Sequence, residues 1–175
     1  MSNLRRKGDK AFFDKMYKLA SPVFKRKLVD EAGITALRFS KERFRQKNWV
    51  YKGMPQSWEK RKRKARGSTL VRSGRLKRSI RIISKGRFYV QLGTDVPYAR
   101  IHNEGGKLTD TVKVRSHTRK RSTRGGSGSI KVRSHQRKMN TTIPQRQFIG
   151  SSVALANKVE KKLKKKIDKQ LNKTS

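Results

Sequence analysis

"RGSTLVRSGRLKRSIRIISKGRFYVQLGTDVPYARIHNEGG", residues 66–106, is the one stretch of a very basic chain that carries the pattern of a packed domain. Ile80 and Ile82 alternate with Arg81, and Phe88, Val90 and Leu92 alternate with Tyr89 and Gln91. Period-two alternation on both sides of Lys85-Gly86 predicts a β-hairpin, strands 79–83 and 87–93, with one buried face. Pro97 then suits the first turn of a short helix, and Gly105-Gly106 suits its end.

Outward from this hairpin, the N-terminal side reads as helical. Residues 9–20 set Phe12, Phe13, Met16, Tyr17 and Leu19 at helical spacing behind Asp9, a candidate N-cap. Ser21-Pro22 is a second start signal, an N-cap serine followed by proline at the first helical position. A longer helix is expected from Pro22 to the mid-forties, with Gly33 as its weak point. Residues 48–68 read as a basic loop: Gly53 and Pro55 break it, and "KRKRKAR" from Lys60 charges it. Trp49 and Trp58 flank this loop. They are expected to dock it onto the domain rather than to stack on bases.

On the C-terminal side, "VKVRSH" at 112–117 returns as "IKVRSH" at 130–135. The expectation is a second hairpin with Val114 opposite Val132 and a long flexible tip between the repeats. Val112, Val114, Ile130 and Val132 would share one face. Lys113, Arg115, His117, Lys131, Arg133 and His135 would share the other. A terminal helix follows from residue 153, with Leu155, Val159, Leu163, Ile167 and Leu171 as an apolar stripe and the remaining face almost solid lysine. The expected fold is α+β, with an antiparallel sheet from two hairpins packed by N-terminal helices, a short middle helix and a C-terminal helix. It is one domain, divided into N-terminal helices (1–47), basic loop (48–68), α+β core (69–152) with a basic hairpin insertion at 107–142, and lysine-rich helix (153–175).

The charge narrows the function. There are 49 Lys and Arg against 11 Asp and Glu, a formal net charge of +38 over 175 residues. Such a chain repels itself unless a polyanion is near. Three basic blocks, 60–66, 113–138 and 158–173, imply salt-sensitive, sequence-blind contacts to phosphates or to acidic protein. Lys113, Arg115, Arg119, Arg121, Arg124, Lys131, Arg133 and Arg137 are the candidate polyanion contacts. No cysteine is present, so disulfides and thiolate metal sites are excluded. The basic N-terminus leads into no long apolar run, so neither a signal peptide nor a membrane span is expected.

Catalytic chemistry finds little support. His117 and His135 sit among arginines, which disfavour both protons and cations there, and no four-ligand metal set exists. His102 and Glu104 could be imagined as a nuclease pair, but buried structural hydrogen bonding is the expected role of His102. "GGSGS" lacks the lysine–hydroxyl pair of a phosphate loop. No enzyme, metal or cofactor is expected.

Three motifs in order carry a resemblance: Ser73-Gly74-Arg75-Leu76; Tyr98-Ala99 with His102 and Gly105-Gly106; and Pro144, Arg146, Phe148 and Gly150. Together, over residues 69–152, they resemble the phage virion morphogenesis family of tail completion proteins, related to neck and head–tail joining proteins. Gln145 and Gln147 around the arginine, and Asn103-Glu104 before the glycines, depart from the family's usual pattern. The resemblance implies that Gly74 turns the chain into the first strand, that Tyr98 and Ala99 pack the short helix on the sheet, and that Gly105-Gly106 ends it. It also implies a structural protein acting as a homo-oligomeric ring at the neck, in the virion and in host cytoplasm during assembly. Its partners would be other neck, tail or capsid-connector proteins and packaged DNA, with no membrane. A rival reading, a sequence-nonspecific nucleic-acid-binding protein of ribosomal or chromatin type, explains the charge but not the order of the motifs.

Overall fold

A computed structural model of the chain describes residues 7–61, 67–123 and 126–172. The fold is α+β. Helix α1 spans Lys7–Ala20, so Asp9 lies within its first turns rather than capping it. Helix α2, Pro22–Gln46, starts as its sequence predicts: Ser21 Oγ accepts the Phe24 amide at 3.2 Å, and Pro22 fills the first turn. The helix ends where Lys47 turns left-handed and its amide reaches the Arg43 carbonyl.

Gly33 does not interrupt α2. A Cβ there would stand 2.9 Å from both Ile82 Cδ1 and Val90 Cγ2, so the glycine is a contact made for the hairpin. The propensity cost of glycine in a helix interior, about 1 kcal/mol, is offset by the close approach it permits.

The expected loop at 48–68 contains a small hairpin, β1 (Asn48–Val50) with β2 (Pro55–Ser57). Both tryptophans are buried, Trp49 edge-on to Phe39 and Trp58 edge-on to Phe44, so the docking role holds. The Lys62–Arg66 part of the basic block lies outside the described residues.

Gly74 does not lead directly into a strand. It sits left-handed ahead of a short helix, α3 (Arg75–Ser79), which delivers Leu76 and Ile80 to the core. Strand β3 (Arg81–Lys85) pairs with β4 (Val90–Gly93) through a bulge between Ile82 and Ser84. The return strand therefore begins three residues later than its alternation suggests. Phe88 and Tyr89 are in the exposed loop, not on the buried face. The Gly86 amide bonded to the Tyr89 carbonyl closes that loop at 2.9 Å. Helix α4, Ala99–Glu104, stops at Gly105, whose left-handed φ and 2.8 Å approach of a would-be Cβ to the Gln145 amide leave room only for glycine.

The expected Val114–Val132 pairing is not formed. One ribbon runs instead from Gly106 to Ile143. Its inner half pairs β5 (Gly106–Val114) with β8 (His135–Ile143); its outer half pairs β6 (His117–Thr123) with β7 (Gly126–Val132). Val114 faces His135 and His117 faces Val132, so the two repeats break the ladder at matching Arg-Ser steps, 115–116 and 133–134. The repeat is the signature of that local twofold. Much of the expected flexible tip, including Gly128 and Ser129, is strand.

Helix α5, Val153–Asn172, opens with Ser152 Oγ accepting the Leu155 amide and packs along α2. Its leucine stripe is half-buried. Lys158–Glu42 and Lys166–Glu31 ion pairs flank the seam. The four two-stranded sheets stay separate from one another. The core is a cluster of Phe44, Trp58, Leu76, Ile80, Val96, Ala99 and Phe148.

Candidate functional site: a motif-lined cleft, a basic groove and a projecting ribbon

The segment 144–150 is extended and threads through the core. Phe148, 1% exposed, packs 5.0 Å from Phe44 between ring centroids. Burying such a ring contributes about 1.5–3 kcal/mol. The segment's backbone groups are satisfied by distant side chains, as burial demands. Ser40 Oγ donates to the Phe148 carbonyl at 2.6 Å, and Trp58 Nε1 donates to the Gln147 carbonyl at 3.0 Å. Asn103 Oδ1 accepts the amides of both Phe148 and Ile149 at 3.0 Å. Thus Asn103 is the clasp between α4 and this segment.

Arg146, 8% exposed, turns its guanidinium onto the Glu59 carbonyl through Nε and Nη2. Its amide donates to the His102 carbonyl at 2.8 Å. Burial, then the neighbouring Arg146 charge, push the His102 imidazole below its ordinary range, so it is neutral near pH 7. The expected structural hydrogen bond is not made at Nδ1, which is buried without a partner. Tyr98 stands edge-on to the ring at 5.9 Å. Glu104 is ion-paired with Arg100 at 3.0 Å.

These residues meet in one cavity of about 330 Å³. Ser73, Arg75 and Leu76 come from the first motif, Tyr98 and His102 from the second, Arg146 from the third; Arg61, Leu70 and Arg72 complete its wall. Ala99 is buried in the core beside it, while Gly106 opens the ribbon and Gly150 leads towards α5. The sequence motifs were read as fold punctuation; folding also brings them to a common wall.

A second basic surface is larger, about 500 Å³, and shallow. Arg38, Lys41 and Arg45 of α2, Lys77 of α3, and Lys158 and Lys162 of α5 line it, with Glu42 among them. Sequence reading missed this groove. The α2 cations recur at helical spacing, but only the α2–α5 packing pairs them with the terminal helix.

The ribbon's strands contact chiefly each other, and its candidate residues are exposed: Lys113, Arg115, Arg119, Arg121, Lys131, Arg133 and Arg137. Arg124 lies outside the described residues. The predicted segregation into an apolar and a basic face fails. Arg137 faces Val112, Arg119 faces Ile130 and His117 faces Val132, whereas Lys113 faces Gln136 and Lys131 faces Thr118. Within each ladder, paired residues share a face. Arg137 therefore shares the inner half's apolar face and Lys113 takes the other, while Arg119 and Lys131 divide the outer half in the same way. Positive charge surrounds the ribbon instead of lining one side.

Among the described residues no group of acids and histidines is arranged to hold a metal, and no helix is long and apolar enough to cross a membrane. A sequence model of the phage virion morphogenesis family matches residues 13–168. No curated protein and no solved structure matches the chain.

Proposed function

The chain belongs to the phage virion morphogenesis family, and on that premise we propose that it is a non-enzymatic virion protein that completes the tail or joins head to tail as an oligomeric ring in the neck. Its partners are other copies of itself and adjoining tail or connector proteins, with packaged DNA against its basic surfaces. One observation carries the DNA contact: a ribbon with ten cations and no acid between residues 113 and 138 projects with both faces exposed. Such a surface suits phosphates approached from any side, by charge and without base readout. The α2–α5 groove offers a rigid second surface of the same sign. Small subunits in closed symmetry are the economical way to build a junction around a duplex.

Light scattering on the purified protein, at low and high salt and with and without DNA, tests the reading. A discrete oligomer that persists at high salt is expected, because its interfaces belong to the folded domain. A monomer that gains mass only by coating DNA at low salt would instead identify a free nucleic-acid binder. Reversing the charge of Arg115, Arg119, Arg121, Arg133 and Arg137 is expected to abolish DNA retention in assembled particles; unchanged retention would remove the ribbon from the DNA contact.

A further inference from the structure

We propose that the cavity where the three motifs meet is a docking site for an acidic segment of a partner protein, taking a carboxylate beside an apolar side chain. Its wall holds positive charge, at Arg72 and Arg75, that has no acid within ion-pair distance among the described residues. Among the described residues, Arg72, Arg75 and Arg146 form no ion pair, and Glu59 meets Arg146 through its backbone carbonyl. Arg146 is buried, and burial disfavours its charge more than the nearby Glu59 carboxylate favours it, so a further counter-charge would be welcome there. His102 Nδ1 adds an orphaned polar atom on the same wall. As the Nδ1–H tautomer it would donate to an incoming carboxylate, which would account for an atom the fold itself leaves unsatisfied.

The shape selects protein over nucleic acid. The cavity is concave, and Leu70, Leu76 and Tyr98 give it an apolar floor. A carboxylate carried next to an apolar side chain fills both parts, whereas a duplex backbone lies across protruding or grooved cations. The wall is also built at a cost. Leu70 holds a left-handed φ of 58°, a conformation that a leucine keeps only when its surroundings impose it. The chain is a poor source of the ligand, since six of its eleven acids (Asp30, Glu31, Glu42, Asp95, Glu104 and Glu160) are already ion-paired. The counter-charge therefore comes from a different protein. This rests on the assembly role and deepens it by giving the partner's chemistry, and it fails separately, because peptide affinity reads the cavity whereas light scattering and DNA retention in particles read the assembly role.

The test uses the full chain in about 0.15 M salt, where non-specific attraction is partly screened. Two labelled probes are titrated: a deca-glutamate peptide ending in phenylalanine, and a deoxythymidine decamer. Arg72→Glu with Arg75→Glu alters two exposed side chains of the cavity wall; Arg119→Glu with Arg121→Glu makes the same charge change on the ribbon. The cavity variant is expected to lose about tenfold or more in peptide affinity while the ribbon variant stays within about twofold. The His102 ring resonances are expected to move on adding peptide and not on adding the decamer. Equal losses in the two variants, or no loss in either, would overturn the proposal. So would a cavity variant that loses the decamer instead of the peptide, which would make the cavity a nucleic-acid site.

Discussion

Residues 136–143 and residues 144–150 adjoin in the chain, and each sets two large apolar side chains among polar ones: Met139 and Ile143 in the first, Phe148 and Ile149 in the second. The first is the ribbon strand β8, hydrogen-bonded to β5 and mostly exposed. The second is held by Ser40, Trp58, Asn103 and His102, none of them nearer than 40 residues in sequence. Composition does not separate the two. What separates them is where their backbone groups find partners: a ladder closes locally, while a buried extended segment draws on side chains from the whole fold. The chain thus confines its packing to a small cluster and leaves the ribbon free to carry charge.

Replacing Phe148 with alanine strikes the packed side hardest. A loss of about 3–5 kcal/mol is expected from urea unfolding, against less than about 0.5 kcal/mol for Val112→Ala on the ribbon. If the two costs were similar, the ribbon would be part of the core. Asn103→Ala removes the acceptor of two partly buried amides and is expected to cost about 1–3 kcal/mol; a neutral result would mean that water replaces the clasp. Gly33→Ala should lose about 1 kcal/mol on thermal melting although alanine is the better helix former. A gain would show that Ile82 and Val90 move aside freely.

The smallest expected effect is a pH dependence. The His102 imidazole is held below its ordinary value of 6.5, so the unfolded chain takes up that proton first. Stability is therefore full above 6.5 and falls as pH drops below it. Melting temperatures followed from neutral pH to about pH 5.5 should show this decline, and His102→Gln should remove it. A decline that survives in His102→Gln would have another source. Carboxylates such as Glu31, lowered by the hydrogen bond from Lys166, act in a separate window below 4.5.

The α1, α2 and α5 helices, the tryptophan docking and the α+β class were legible because each rests on local signals: a serine cap followed by proline, apolar spacing, alternation. The ribbon's register was not. Near-identical repeats suggest mutual pairing, but two strands related by a local twofold display nearly the same sequence at offset positions, and nothing local distinguishes the two cases. Phe88 was misplaced because alternation does not reveal a bulge, and the bulge at Ile82–Ser84 shifts where the hairpin closes. The cavity was invisible as a cavity, since its wall joins residues up to 85 positions apart (Arg61 and Arg146). Six of its eleven lining residues, Ser73, Arg75, Leu76, Tyr98, His102 and Arg146, nonetheless belong to the three sequence motifs.

The unbroken register across the Arg-Ser steps has a mechanical consequence. At about 3.3 Å per residue, the eighteen positions from Gly106 to Thr123 give the ribbon a contour near 60 Å, longer than the roughly 35 Å width of a domain this size. The break divides this beam into two ladders in line, and bending at the matched positions on both strands would leave every pair in place. Each ten degrees of rotation there carries the far end of the outer span about 4 Å sideways. Turning at that one joint would re-aim the outer span's cations while the packed cluster at the ribbon's base stays unchanged.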